Sequence, residues 1–172
     1  MLLHLYPLVI NLSKPKKEYK IVPIGSVKRT GDGIYLQIFS EYQPALQQLE
    51  HFSHIHVFWW ADKCDNDKSR KTLQCTPPYG TNPPVTGVFA TRAEYRPNPI
   101  SVTVAEILEV NHEQGIVKVK NLDAFDETPI LDLKAYFPVC DRVQEATIPG
   151  WISGWPEWFP DDGMGLWEGE DR

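Results

Sequence analysis

The apolar residues of this chain fall into short alternating runs separated by turn sequences, which confines it to a mainly β architecture. Tyr19 to Val27 reads as a first strand and Ile34 to Phe39 as its return. Between them Thr30-Gly31-Asp32-Gly33 holds the Asp-Gly pair that readily supplies the positive φ of a tight hairpin. Ile100, Val102 and Val104 alternate with Ser101, Thr103 and Ala105, and beyond Asn111-His112-Glu113-Gln114-Gly115, Val117 and Val119 alternate with Lys118 and Lys120. This is a second hairpin with one buried face. His54 to Trp60 is too aromatic and β-branched for a surface helix, so it reads as a buried strand whose end opens into Asp62-Lys63-Cys64-Asp65. Leu131, Leu133 and Ala135, alternating with Asp132, Lys134 and Tyr136, make a further strand that ends before Pro138. No strand–helix–strand rhythm recurs, and a single closed or nearly closed β-barrel fits better than a doubly wound sheet.

One short helix is expected. Tyr42, Ala45, Leu46, Leu49 and Phe52 recur at spacings of three and four within Glu41 to Phe52, and Pro44 is tolerable in a first turn. Residues 64–84 are polar and proline-rich and read as a long loop with a short strand near Lys71 to Cys75. The organisation that follows is an N-terminal arm over 1–18, a barrel domain over 19–148 and an irregular acidic tail over 149–172. That tail carries four of the six tryptophans. Trp151, Trp155 and Trp158 offer large apolar area beside a net charge of −5 over 151–172, so the tail is expected to dock on the barrel and not on nucleic acid.

At 172 residues, 42% of them hydrophobic, the chain can bury one core, which excludes a disordered polymer and a disulfide-stapled mini-protein. The opening MLLHLYPLVINL lacks a basic start and is interrupted by His4 and Pro7, so it does not read as a secretory signal, and no membrane span is expected. Seventeen Lys and Arg face 23 Asp and Glu, which argues against broad nucleic-acid affinity and against a DNA partner. Only the start, with Lys14, Lys16, Lys17, Lys20, Lys28 and Arg29, is basic, and a solvated arm is its plainer reading. Cys64, Cys75 and Cys140 are odd in number without a paired spacing, as expected of free thiols in the cytoplasm. His51, His54 and His56, near Asp62, Cys64, Asp65 and Asp67, match no strong metal signature, and no metal is expected.

The densest chemical signal is GVFATRAEYRPNPI, residues 87–100. Pro97 and Pro99 fix their own φ and restrict the residues before them, holding Arg96 and Asn98 extended. Arg92 and Arg96 offer planar donor forks suited to carboxylates or phosphates, and Asn98 both donates and accepts. Spacing alone also allows a structural turn whose arginines pair with Glu94 or Asp126.

These residues resemble the TsaA-like, or TrmO, family of S-adenosylmethionine-dependent methyltransferases. The family pattern GVFATRSxxRPNPIG is met here by GVFATRAEYRPNPIS; LEHFSHIHVFWW at 49–60 and LDAFDETPILDLKAYFP at 122–138 match two further family segments. The resemblance implies an all-β barrel working as a homodimer, S-adenosyl-L-methionine as cofactor, and an adenosine amine beside a tRNA anticodon as the best-known acceptor. It implies that Arg92 and the backbone near Val102 contact the cofactor, that Asn121, Leu122 and Asp123 close over its adenosine part, and that Asp62 and Lys63 give another contact. Arg96 and Asn98, rigid beside the cofactor end, are the expected catalytic residues. A cofactor-binding module without tRNA activity, or a methyltransferase of small metabolites, stays open. The chain departs from the family in lacking a Pro-Arg-Gln stretch after the first strand, in Asp62 where a His is frequent, in Ser101 for Gly, in Glu127 for the Gly of DGTP, and in its short Trp-rich tail.

Overall fold

The computed structural model describes residues 18–160, so most of the arm and the last part of the tail, residues 161–172, lie outside it. The chain builds β1 (Gly25–Thr30), β2 (Gly33–Ile38), β3 (His54–Trp60), α1 (Asp67–Lys71), β4 (Gln74–Cys75), β5 (Thr86–Gly87), β6 (Ile100–Asn111), β7 (Ile116–Val119), β8 (Pro129–Ala135) and α2 (Pro138–Asp141). Six antiparallel strands close into a barrel in the order β1-β2-β7-β6-β3-β8, while β4 and β5 form a separate two-stranded ribbon. The mainly β, closed-barrel expectation therefore holds. Among the described residues no helix is long and apolar enough to cross a membrane.

Alternation along each strand fills the barrel. Ile55, Val57 and Trp59 of β3 point inward and meet Val27, Leu36, Ile38, Val117, Val119 and Ile130 in one buried cluster. On β6 the inward residues are the small ones, because β3 pairs Ile55 with Ala105, Val57 with Thr103 and Trp59 with Ser101. The Trp59 indole fills that space and donates to Thr103 Oγ1 at 3.2 Å. Ile100, Val102 and Val104 consequently lie on the outer wall, in register with Trp60, Phe58 and His56.

The ring closes where β1 meets β8 over only two register pairs, Gly25 with Ile130 and Ser26 with Pro129. Backbone bonds extend the seam: Ile24 N donates to Ile130 O at 2.8 Å, Val27 N to Thr128 O at 2.9 Å and Glu127 N to Val27 O at 2.9 Å. Gly25 sits in the seam with β2 on its other side, where a Cβ would fall 2.3 Å from Gln37 O.

Several local expectations are corrected. The first strand does not run over Tyr19 to Val27 but begins at Gly25, since Pro23 cannot donate to a ladder and Tyr19, Ile21 and Val22 are exposed. The expected helix over Glu41 to Phe52 is two 3-10 segments, Ser40–Leu46 and Leu49–His51. Pro44 lies inside the first, and Gln48, at φ 71°, breaks the chain between them. Lys71 belongs to α1, capped by Asn66 accepting from Ser69 N, which leaves only Gln74–Cys75 as strand. The apolar run before Arg92, which reads from its sequence as a short strand entering the arginine loop, is strand only over Thr86–Gly87, and Val88–Ala90 coil into a 3-10 turn. The alternation at β8 slips at an irregularity opposite Phe58 and Trp59, so Ile130, not Leu131, is fully buried.

The described part of the tail packs on the proline-rich loop. Trp151 stacks on Tyr79 at 6.1 Å, Trp155 meets the same ring at 5.0 Å, and Thr81 N donates to Trp151 O at 2.8 Å. Arg142 lies 4.9 Å from the Trp158 ring.

Substituting Gly25→Ala forces a methyl against a backbone oxygen at the closure seam. The variant is expected to lose about 1–3 kcal/mol of stability in chemical denaturation, the usual range for overpacking; wild-type stability would contradict the seam geometry.

Candidate functional site

One mouth of the barrel gathers the end of β3, the start of β6 and the connection from β7 to β8. After β3, Ala61 is buried and donates its N–H to Pro99 O at 2.8 Å, tying the Asp62–Cys64 turn to the Pro-Asn-Pro stretch. Cys64 Sγ donates to Glu94 Oε2 at 3.7 Å, joining the same turn to the loop between Thr91 and Asn98. The connection over 120–128 crosses this mouth. Its residues alternate, Leu122 and Ala124 buried in the core and Asn121, Asp123 and Phe125 half-buried. Lys63 Nζ sits 3.8 Å from the centre of the Phe125 ring, which brings the third segment against the first.

The guanidinium groups act here as struts to backbone oxygens. Arg92, an exposed side chain, donates to Val102 O. Arg96 donates to Val88 O at 2.7 Å and Thr91 O at 3.3 Å, holding the turn that precedes it. Arg70 reaches Pro97 O at 2.9 Å and pairs with Asp65, while the Trp60 indole donates to the same carboxylate at 3.0 Å. The Arg70 bond, with help from the Trp60 indole, holds the Asp65 carboxyl below its ordinary pKa. Asn98 is exposed, and its carbonyl accepts from Ile100 N at 2.8 Å.

Of the residues singled out from the sequence, Arg92 and Val102 touch directly, and Lys63, Asp62, Asn121 and Asp123 lie on segments that meet through the Lys63–Phe125 contact. Leu122 turns its side chain into the core, and its carbonyl accepts from Arg29. Sequence reasoning missed Arg29, Arg70 and Phe125 as parts of this mouth, and placed Cys64 there only as a member of the Asp62-Lys63-Cys64-Asp65 stretch. The histidines point away from it: His54 Nδ1 lies 2.9 Å from Ser53 Oγ, and the buried His56 Nε2 lies 3.1 Å from Asp141 Oδ1 without completing a hydrogen bond. Among the described residues no group of three His, Cys, Asp or Glu side chains is placed to hold a metal.

The fold and this mouth define a small closed antiparallel barrel with a loop-built candidate site at one end. The chain belongs to the family of tRNA-methyltransferase O N-terminal domains, whose model matches residues 12–142. It is 44% identical over 110 residues to an S-adenosyl-L-methionine-binding protein of Archaeoglobus fulgidus, covering 64% of this chain and 73% of that protein. A tRNA (adenine(37)-N6)-methyltransferase of Escherichia coli is 33% identical over 140 residues, covering 79% of this chain and 59% of that protein. The crystal structure of TrmO from Pseudomonas aeruginosa superposes with a TM-score of 0.56 at 24% identity, over 76% of this chain and 62% of that one, a likeness of fold. The chain thus spans about three fifths of the E. coli and P. aeruginosa proteins, and 30% of a second A. fulgidus relative.

Burial, and next the Glu94 carboxylate, push the Cys64 thiol above the ordinary cysteine value. Near pH 8, iodoacetamide should therefore alkylate Cys64 more slowly than the exposed Cys140. Glu94→Gln removes the negative partner, lowers the thiol's pKa and should speed Cys64 labelling, read by peptide mass; an unchanged rate would separate the two residues.

Proposed function

We propose that this mouth binds S-adenosyl-L-methionine and that the chain is a methyltransferase acting on an exocyclic amine of an RNA adenosine, with tRNA the favoured acceptor, working in the cytoplasm. The observation that carries the reading is the convergence of the 62–64, 91–99 and 121–125 segments, with the Arg92 guanidinium lodged on Val102 O. The donor set suits such a ligand. One of Arg92's five N–H donors goes to Val102 O, and the remaining fork matches an amino-acid carboxylate. Asp62 and Asp123 are carboxylates able to accept from an ammonium or ribose hydroxyl, and Phe125 and Lys63 wall the same space.

The cofactor supplies an electrophilic methyl on a sulfonium sulfur. The chain's task is to aim an amine lone pair at that carbon and to exclude competing water. Asn98, held between Pro97 and Pro99, offers an amide oxygen to an amine N–H, and Arg96, braced on Val88 O and Thr91 O, keeps that loop in place and presents a cation to a phosphate-bearing acceptor. No metal is needed, because the leaving thioether is neutral and the amine's proton passes to a general base.

The chain works as a homodimer. Phe89, 83% exposed, lies three residues before Arg92, and Leu73 and Val85 are exposed on or beside the β4–β5 ribbon, an apolar surface that a second copy would cover next to the cofactor segment. Sedimentation should give a dimer that Phe89→Asp dissociates, and a wild-type monomer at micromolar concentration would contradict it.

A second reading, cofactor binding without RNA modification, draws on the surface charge. Lys28 faces Glu127, Arg70 Asp65, Lys71 Asp67, Lys120 Glu106 and Lys134 Asp132, so many cations already have acidic neighbours, which weakens phosphate binding. Labelled S-adenosylmethionine offered with total tRNA and, separately, with a small-molecule extract distinguishes the acceptors. Arg92→Ala is expected to weaken S-adenosylmethionine binding by about 1.5–3 kcal/mol, the worth of a charge-assisted hydrogen bond; unchanged affinity in the folded variant removes Arg92 from the site.

A further inference from the structure

Strand parity places a charged residue where an apolar one would be expected. On β1 the inward positions are Gly25, Val27 and Arg29, so Arg29 points to the inner side at the barrel mouth, in register with Ile34, which packs on the core. A half-buried guanidinium is costly there unless acceptors meet it. They do: Arg29 Nε donates to Ala124 O at 2.7 Å and Nη2 donates to Leu122 O, while the Arg29 backbone N–H donates to Asp126 Oδ1 at 2.8 Å. One residue thus makes three bonds to the 122–126 stretch.

The two carbonyls belong to the residues whose side chains plug the core, Leu122 and Ala124. Fixing those two peptide oxygens fixes the planes between them, and the intervening residue is turned the other way. Asp123 stands between them, Asn121 and Phe125 flank the pair on the same half-buried alternation, and Phe125 lies beneath the Lys63 ammonium. We propose that Arg29 is a positioning residue for cofactor binding: it sets the backbone of 121–125 so that Asn121 and Asp123 face the site. The proposal rests on the reading of 121–123 as a cofactor-contacting segment. Lysine cannot replace Arg29 in this role, since a single ammonium on a flexible stem does not present two parallel-spaced donors to alternate carbonyls. The arrangement also joins the β1–β2 hairpin to the site, because Arg29 stands one residue before its turn.

The test uses the full chain with Arg29→Lys and, should that variant fail to fold, Asp126→Asn, which loosens the same stretch while keeping the guanidinium. Three quantities are read: the unfolding midpoint, hydrogen exchange of the 121–126 amides without ligand, and calorimetric affinity for S-adenosylmethionine. A folded Arg29→Lys protein should exchange the 121–126 amides faster than wild type, leave the β3–β6 amides unchanged, and bind S-adenosylmethionine about tenfold or more weakly, the loss of one charge-assisted bond. Asp126→Asn should shift both in the same direction by less. Wild-type affinity in a folded variant overturns the positioning role, as does unaltered exchange over 121–126. A wild-type chain that binds no S-adenosylmethionine overturns the cofactor reading itself and this role with it.

Discussion

Barrel closure depends on a seam only two residue pairs long. Strands β1 and β8 meet at Gly25–Ile130 and Ser26–Pro129, and the bonds from Ile24, Val27 and Glu127 lengthen the contact at either end. A closed sheet has no free edge along its ring, so each strand's inward side chains face a shared core. Because β1 must pass close to both neighbours at this point, Gly25 has no room for a side chain. The seam also dictates where the connection from β7 to β8 runs: it leaves Val119, crosses the mouth and re-enters at Pro129, with Leu122 and Ala124 dropped into the interior as a plug.

That plug turns an apolar necessity into a candidate site. Burying Leu122 and Ala124 leaves the alternate residues on the rim, and the rim is stiffened by guanidinium groups that bond to main-chain oxygens: Arg29 to 122 and 124, Arg92 to 102, Arg96 to 88 and 91, Arg70 to 97. Loops braced in this way bind ligands with little ordering cost. Glu127 carries some strain for it, standing at φ 65° where the related pattern has glycine, and its carboxylate is met by Lys28 from the neighbouring strand.

Much of this was readable from the residues, and the gaps have physical causes. The β3 strand is legible over its full range because a dense run of aromatic and β-branched residues has few alternatives, and the β1–β2 hairpin because Gly31-Asp32 between two apolar runs is turn chemistry. Arg29 was missed because placing the first strand over Tyr19 to Val27 ended it before the inward position that Arg29 occupies. The 3-10 segments over 40–51 carry the spacing of one helix, because apolar spacing does not register the left-handed Gln48. The Cys64–Glu94 and Lys63–Phe125 contacts join residues 30 and 62 positions apart, and no local pattern announces such pairs. Arg92, Asn98, Asp62 and Asp123 are singled out by motif likeness, and the fold brings the segments that carry them to one mouth.

The most direct measurement is a titration of isotope-labelled protein with S-adenosylmethionine followed by two-dimensional NMR. If the plugged mouth is the binding site, the large shift changes fall together on 62–64, 91–99 and 121–125, and the opposite mouth, formed by Phe39 to Gln47 and the 111–115 turn, stays still. Saturable changes centred on that opposite mouth, with the three segments unmoved, would contradict it.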